Sequence, residues 1–275
     1  LIPVSVMSIL SWRDLEVDYT DNGQGPAVIL IHGGASNNRQ WEPLIDQLQD
    51  RYRVLAVNLR GTGKTSTWPP GKPQPLSAQT QLIEALAEFV GGPVSLVGHS
   101  YGGTIAMKVA QTTAVHISKM ILIEPNPFFL LNRPGYEDGR ADIDIMAEPF
   151  QRLAAEDRWS EIGVHFIDYW FGTGSWQAMG EKRRMSISAM MPTIRSAWDG
   201  LMHDPVPIET WADIATRTLL ITSADTRLSV KCIRDQMRDH LPGLSYAETP
   251  EGGHMAIVSK PDLVNPDIIR FLDQT

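Results

Sequence analysis

Apolar positions along this chain switch repeatedly between strand spacing and helix spacing. Residues 7–12, 15–19 and 27–31 read as short strands, the third introduced by the turn-forming Asp21-Asn22-Gly23-Gln24-Gly25-Pro26. Between residues 39 and 49, Trp41, Leu44, Ile45 and Leu48 fall on one helical face, and residues 53–58 return to a strand. A strand, a helix and a strand in succession imply a parallel pair. Ser77 is positioned to cap a helix with the face Leu82, Ile83, Leu86, Phe89 and Val90, closed by Gly91-Gly92. Further strands are predicted at 94–99, 119–124, 218–223 and 244–249, with helices at 230–241 and 261–272. This alternation predicts an α/β fold, doubly wound, with a mostly parallel sheet of about eight strands.

One interval breaks the rhythm. Roughly 90 residues separate the strand ending near Glu124 from the one starting near Thr218, far more than a crossover needs. Apolar residues there repeat at helical spacing: Met146, Phe150 and Leu153; Trp159, Ile162, Phe166 and Trp170; Trp176, Met179, Ile187 and Met190; Ile194, Trp198 and Leu201. The pattern predicts three or four helices, inserted as a lid after the sixth strand. Residues 1–127 and 212–275 then form the core, and 128–211 the helical lid.

Composition narrows the class of protein. A chain of 275 residues can bury a large single core, and its net charge of −8 disfavours nucleic acid or an anionic membrane surface as a partner. Cys232 is the only cysteine, so no intramolecular disulfide can form. Leu1 to Leu10 is apolar but has no positive leader or clear cleavage site, and no later apolar run approaches membrane-spanning length. The expectation is a cytoplasmic protein acting on a small molecule, with the oligomeric state left open.

The chemistry concentrates at Val94-Ser95-Leu96-Val97-Gly98-His99-Ser100-Tyr101-Gly102. An apolar strand, a Gly-x-Ser-x-Gly turn and a helix-compatible segment follow one another. A serine on so tight a turn needs glycine two residues before and after, where a Cβ would collide with the neighbouring backbone. The bare pattern arises about 0.1 times by chance in a chain this long, so the strand before it and the helix after it carry the weight.

With that elbow, His32-Gly33-Gly34 after the third strand, Arg60-Gly61-Thr62-Gly63-Lys64-Thr65-Ser66 after the fourth, and Gly252-Gly253-His254 near the C-terminus, the chain resembles the α/β-hydrolase family. The likeness is to its lidded serine esterase and lipase-like branch and spans nearly the whole chain apart from the middle segment. Asn58 departs from it, since the family often has aspartate before the Arg-Gly turn. The resemblance implies a serine hydrolase, with no cofactor and no metal ion. Ser100 is the expected nucleophile and His254 the base, because it lies in a glycine-flanked loop after the last strand. Asp225 is the expected acid, ending its strand and keeping the order Ser, Asp, His. Glu124, at the end of the preceding strand, is the alternative acid. The backbone N–H groups of Gly34 and Tyr101 are the expected oxyanion-hole donors. His32 is expected to support its own loop, and His116, His165, His203 and His240 to lie on the surface or in the lid.

Substrate is less sharply defined. Aspartate nucleophiles serve the epoxide-hydrolase and haloalkane-dehalogenase branches, so serine points to acyl transfer to water, on an ester, lactone or thioester. An acyltransferase, a perhydrolase, a carbon–carbon hydrolase or a non-catalytic ligand receptor could use the same scaffold. His99, Met146, Trp159 and Trp170 are the expected pocket residues, and an apolar lid implies a mainly apolar substrate. Arg133, Arg140 and Arg195 either meet a carboxylate or decorate solvated helix faces. Gly61-Thr62-Gly63-Lys64-Thr65 resembles part of a phosphate loop, but Asn58 stands where that pattern needs glycine.

Overall fold

The structure is a computed structural model, and it describes residues 6–212, 214 and 216–274. Residues 1–5 of the apolar N-terminal stretch lie outside the described residues. The strands are β1 (Val6–Trp12), β2 (Leu15–Asn22), β3 (Ala27–Ile31), β4 (Arg53–Val57), β5 (Val94–His99), β6 (Ile117–Ile123), β7 (Arg217–Ser223) and β8 (Ser245–Thr249). They form one sheet in the order β1-β2-β4-β3-β5-β6-β7-β8. The first two strands are an antiparallel hairpin on one edge, β2 meets β4 antiparallel, and from β4 to β8 every neighbouring pair is parallel.

Parallel strands need crossovers, and the helices supply them on both faces. Helices α1 (Glu42–Leu48), α2 (Leu76–Val90), α3 (Tyr101–Thr112), α4 (Glu137–Ala154), α5 (Trp159–Phe171), α6 (Ser175–Ala178), α7 (Glu181–His203), α8 (Leu228–His240), α9 (Ala256–Ser259) and α10 (Pro261–Asp273) follow in chain order. In β3, Val28 and Leu30 belong to the apolar cluster on the face of the sheet that α1, α9 and α10 cover, while Ile29 and Ile31 belong to the cluster on the opposite face, which includes α2, α3 and α8. The central strands are therefore apolar on both sides, as β3, burying every residue, shows.

Several local expectations change in detail. Ser77 does not cap α2: the helix begins at Leu76 behind Pro75, and the Ser77 carbonyl is used by the Thr80 hydroxyl inside the first turn. Its C-terminal signal holds, with Gly91 left-handed at φ 72°. The segment at 39–49 splits into a 3-10 turn, Asn38–Trp41, and α1. The stretches around Ile187 and Trp198 are one 23-residue helix, α7, with Pro192 inside it.

The insertion between β6 and β7 contains α4, α5, α6 and α7, flanked by 3-10 turns at Phe128–Asn132 and Ile208–Trp211. It shares one continuous apolar cluster with the α2–α3 face of the sheet, in which Phe150 stacks on Trp198 at 5.0 Å between centroids. A partly buried polar knot ties it down as well. Asp142 of α4 accepts from the Tyr169 hydroxyl of α5 (2.8 Å) and the Ser229 N–H of α8 (3.1 Å), and pairs with Arg227. Among the described residues no helix is long and apolar enough to cross a membrane.

Candidate active site

The site grows from the carboxyl ends of adjacent parallel strands. Ser100 follows β5 with φ 54° and ψ −120°, a conformation disfavoured for any residue with a side chain. Its N–H donates to the Ile123 carbonyl at the end of β6 (2.9 Å), so the sheet ladder itself holds the strained residue. The flanking glycines are sterically required: a Cβ on Gly98 would sit 2.4 Å from the Gly102 oxygen, and one on Gly102 would sit 2.1 Å from the Ile31 oxygen. Glu124 repeats the device one strand over, with φ 48° and its N–H on the Ile221 carbonyl of β7 (2.9 Å).

Between these two residues stands His254, in the loop after β8. Its Nε2 lies 2.8 Å from Ser100 Oγ, and its Nδ1 lies 3.3 Å from Glu124 Oε2. All three side chains are buried. Glu124 Oε1 accepts from the Ser223 N–H (2.6 Å), and Oε2 also accepts from the Thr226 hydroxyl. Burial pushes the Glu124 carboxyl above the usual range, opposed by those two donors. Burial lowers the His254 pKa, which favours the neutral imidazole.

Asp225 is elsewhere, which corrects the expectation that it contacts His254. Its carboxylate accepts from the Ser223 hydroxyl (2.5 Å), the Gly253 N–H (2.7 Å) and the Gly252 N–H (3.2 Å). Burial works against its charge, but these donors outweigh it and hold the carboxyl below the ordinary range. Asp225 thus organises the backbone just before His254 and leaves the ring to Glu124. Both residues lie just past the ends of strands, so sequence position alone does not separate them; the fold does, because the Ser223 N–H at the end of β7 and the Thr226 hydroxyl in the turn after it both reach Glu124.

The other histidines brace the loops. His32 Nε2 accepts from the Leu59 N–H (3.1 Å), so its Nδ1 carries the proton donated to the Gly33 carbonyl (2.7 Å). Burial lowers its pKa to about 4, so it stays neutral. The Gly33 N–H donates to Gln40 Oε1 (3.3 Å), which leaves Gln40 Nε2 to donate to His99 Nδ1 (3.2 Å). His99 Nε2–H then donates to the His254 carbonyl (2.9 Å). Gln40 is a supporting residue with no sequence signal, since a lone glutamine in a polar turn looks like any other. Asn58 also finds its reason: it donates to Asp18 Oδ2 (3.0 Å), so a carboxylate already supplies the acid of this buried pair and residue 58 must be the donor.

Ser100 lies where two cavities meet. The first, about 650 Å³ including its open mouth, is lined mainly by apolar groups, among them Met146, Phe128, Phe166, Trp170, Ile194 and Trp198. The second is lined by His254, His99, Asn37, Arg183, Ser186 and Ile187, and shares Gly34, Ser100 and Trp170 with the first. Met146 thus borders the first cavity, His99 the second and Trp170 both. Trp159 borders neither: it opens α5, about 10 Å along the helix axis from Phe166, the first α5 residue to reach the site. Trp170 stacks on His254 at 3.7 Å between centroids. The Tyr101 N–H is the first of α3 and has no intrahelical acceptor, and Gly34 lines the first cavity together with Tyr101 and Ser100. Arg133, Arg140 and Arg195 pair with Glu209, Asp144 and Asp199 on helix surfaces, away from both cavities. Among the described residues no group of His, Cys, Asp and Glu could hold a metal ion.

Comparison with known proteins agrees with this architecture. The profile of the Alpha/beta hydrolase family matches residues 28–267. The chain is 23% identical over 244 residues to the pimeloyl-[acyl-carrier protein] methyl ester esterase of Nitrosomonas europaea, covering 87% of this chain and 93% of that protein. It is 27% identical over 270 residues to the 2-hydroxy-6-oxo-6-(2'-aminophenyl)hexa-2,4-dienoic acid hydrolase of Metapseudomonas resinovorans, covering 94% and 88%. Its fold matches the crystal structure of a hydrolase from Pseudomonas aeruginosa PA01 with a TM-score of 0.78 at 20% identity, covering 98% of each chain. With the profile running from β3 into α10, the chain belongs to the alpha/beta hydrolase family.

Proposed function

We propose that this chain is a serine hydrolase that cleaves an ester-type acyl bond (ester, lactone or thioester) of a small, mainly apolar substrate through an acyl-enzyme. The observation that carries the reading is the buried line from Ser100 Oγ to His254 Nε2 at 2.8 Å and from His254 Nδ1 to Glu124 at 3.3 Å. In this reading His254 Nε2 takes the Ser100 proton as Oγ attacks the carbonyl carbon. The Glu124 carboxylate accepts the Nδ1–H, fixes the tautomer and stabilises the imidazolium. The N–H groups of Gly34 and Tyr101 receive the developing oxyanion. Collapse of the tetrahedral intermediate expels the alcohol or thiol, which takes from His254 the proton that Ser100 gave up; a water deprotonated by His254 then attacks the acyl-enzyme, and the acid leaves as His254 returns that proton to Ser100 Oγ.

The two cavities acquire different roles on the same logic. The leaving group must receive its proton from His254, so it belongs in the cavity that His254 lines, and the acyl group belongs in the apolar cavity. Helices α4 to α7 serve as the lid over both, keeping bulk solvent from the apolar cavity while the hydrolytic water reaches the acyl-enzyme from the cavity that His254 lines. Labelling with a fluorophosphonate probe, alongside hydrolysis of a panel of chromogenic esters, thioesters and lactones, tests the reading. Parent protein should label and turn over, and Ser100→Ala should remain folded, fail to label and lose roughly 10⁴-fold in kcat. Unchanged turnover in Ser100→Ala would sink the mechanism.

A further inference from the structure

The apolar cavity has a polar end that the mechanism does not use. Gln74, Gln79, Arg60 and Trp198 line it together with Ser100, and all four are almost fully buried. Their hydrogen bonds have a direction that can be read from one end. The Arg60 backbone N–H can only donate, and it donates to Gln79 Oε1 (3.2 Å). Gln79 must therefore present its NH₂ group to Gln74, whose Oε1 accepts it (2.9 Å) and also accepts from the Tyr101 hydroxyl (3.5 Å). The Gln74 amide orientation is thereby forced, and its Nε2 donors have no acceptor among the described residues. Trp198 Nε1 is likewise buried without an acceptor. Trp41 and Trp211 share that property, but neither borders this cavity.

Donors left unpaired in an apolar enclosure cost free energy, so a ligand that supplies an acceptor oxygen gains what a hydrocarbon cannot. The charge around the cavity narrows the kind of oxygen. Among the described lining residues Arg60 alone carries a permanent charge, and its guanidinium is held by groups that do not line the cavity: Nε donates to the Ala78 carbonyl (2.9 Å), Nη2 donates to the Gln81 side chain (3.1 Å), and the Trp68 ring lies under Cζ. A carboxylate bound by the Gln74 and Trp198 donors would be met there by neutral N–H groups and would bear much of its desolvation penalty. A carbonyl, ether or hydroxyl oxygen would not.

We propose that Gln74 and Trp198 select acyl groups that are apolar apart from one neutral acceptor oxygen along the chain, bound by the Gln74 Nε2 and Trp198 Nε1 donors. This rests on the serine hydrolase reading, which assigns the apolar cavity to the acyl group. The consequence is a preference for oxo-, hydroxy- or ether-substituted acyl groups over plain alkyl ones.

The test uses 4-nitrophenyl esters of straight-chain acids in which one ether oxygen is walked along the chain, each compared with the all-methylene ester of equal length. The expected result is one or two positions at which the ether ester exceeds its alkyl isostere about tenfold in kcat/KM. Gln74→Met, which keeps side-chain length but removes the amide donors, and Trp198→Phe, which removes the indole N–H and leaves a smaller aromatic ring in its place, should each bring the ratio back towards one. Binding of the same esters to Ser100→Ala, read by tryptophan fluorescence, should show the same preference without turnover. Cleavage with no preference at any position, or a preference that neither substitution reduces, overturns the proposal and leaves the hydrolase intact. Selective binding without turnover by the parent protein overturns the hydrolase reading and leaves the selectivity standing. Absence of both binding and turnover overturns both.

Discussion

His254 Nδ1 lies 3.3 Å from Glu124 Oε2, while Asp225 is bound to the amides of Gly252 and Gly253. The two carboxylates should therefore separate in kinetics. Glu124→Gln removes the acceptor that holds the imidazole tautomer and should lower kcat by about 10³-fold or more with little change in KM. Asp225→Asn should lower kcat by less than about tenfold and instead reduce Tm, because it loosens the turn before His254. Steady-state kinetics and thermal melts of both purified variants on one ester decide the matter. A near-inactive Asp225→Asn beside a near-normal Glu124→Gln would reverse the assignment.

The pH profile follows from the burial of the base. Desolvation disfavours the imidazolium of His254, so its folded-state pKa lies below the ordinary value of 6.5. The neutral, active base then persists to lower pH, and kcat/KM should rise along an acid limb whose midpoint falls below 6.5 and stay level above it. Rates measured from pH 4 to 8 on a substrate with rate-limiting chemistry provide the check. A limb centred at or above 6.5 would mean that desolvation does not set the pKa of the base.

Trp170 contributes to that burial. Its indole stacks on the His254 ring with centroids 3.7 Å apart and planes at 25°, and it also packs against Phe128 and Tyr169. Trp170→Ala should cost about 3 kcal/mol of stability through the cavity it leaves. It should also admit water to the imidazole, so the acid limb of kcat/KM should move to higher pH. If stability falls while the limb stays in place, Trp170 is packing alone and does not tune the base.

Met190 offers a probe of the lid with less structural damage, because it is only half buried and lines both cavities. Met190→Ala should shift the preferred acyl chain towards longer esters, with a loss of stability of about 1 kcal/mol, below that of a fully buried methionine. Relative kcat/KM over a graded ester series, with a parallel melt, tests it. An unchanged chain-length profile counts against the lid as a source of specificity.

Asn58 should resist the residue that the family often carries there. Its Nδ2 donates to Asp18 and its Oδ1 accepts from the Asn38 N–H (2.9 Å), all within a buried turn. Asn58→Asp would set two carboxylates face to face and should cost about 2 kcal/mol or more at neutral pH, with part of the loss recovered on acidification as one of them protonates. Urea unfolding at pH 7 and pH 5 measures both effects. Equal stability to the parent at pH 7 would show that the pair tolerates a second acid.

The layout of the sheet, the elbow and the inserted helices follow from local information. Buried strands such as β3 are apolar throughout, the crossover helices carry apolar faces at helical spacing, and the glycines around Ser100 answer a clash between atoms only a few residues apart or on the next strand. Those signals are periodic or steric, and a single chain read in order contains them. The partner of His254 is different in kind. Glu124 and Asp225 both lie just past the ends of parallel strands, and the choice between them depends on where the end of β7 and the turn after it place the Ser223 N–H and the Thr226 hydroxyl, and on which amides claim Asp225. The same holds for Gln40 and Gln74, ordinary glutamines until partners distant in sequence force their amides into one orientation. Hydrogen-bond direction and burial belong to groups that meet only on folding, so the tertiary structure alone decided them.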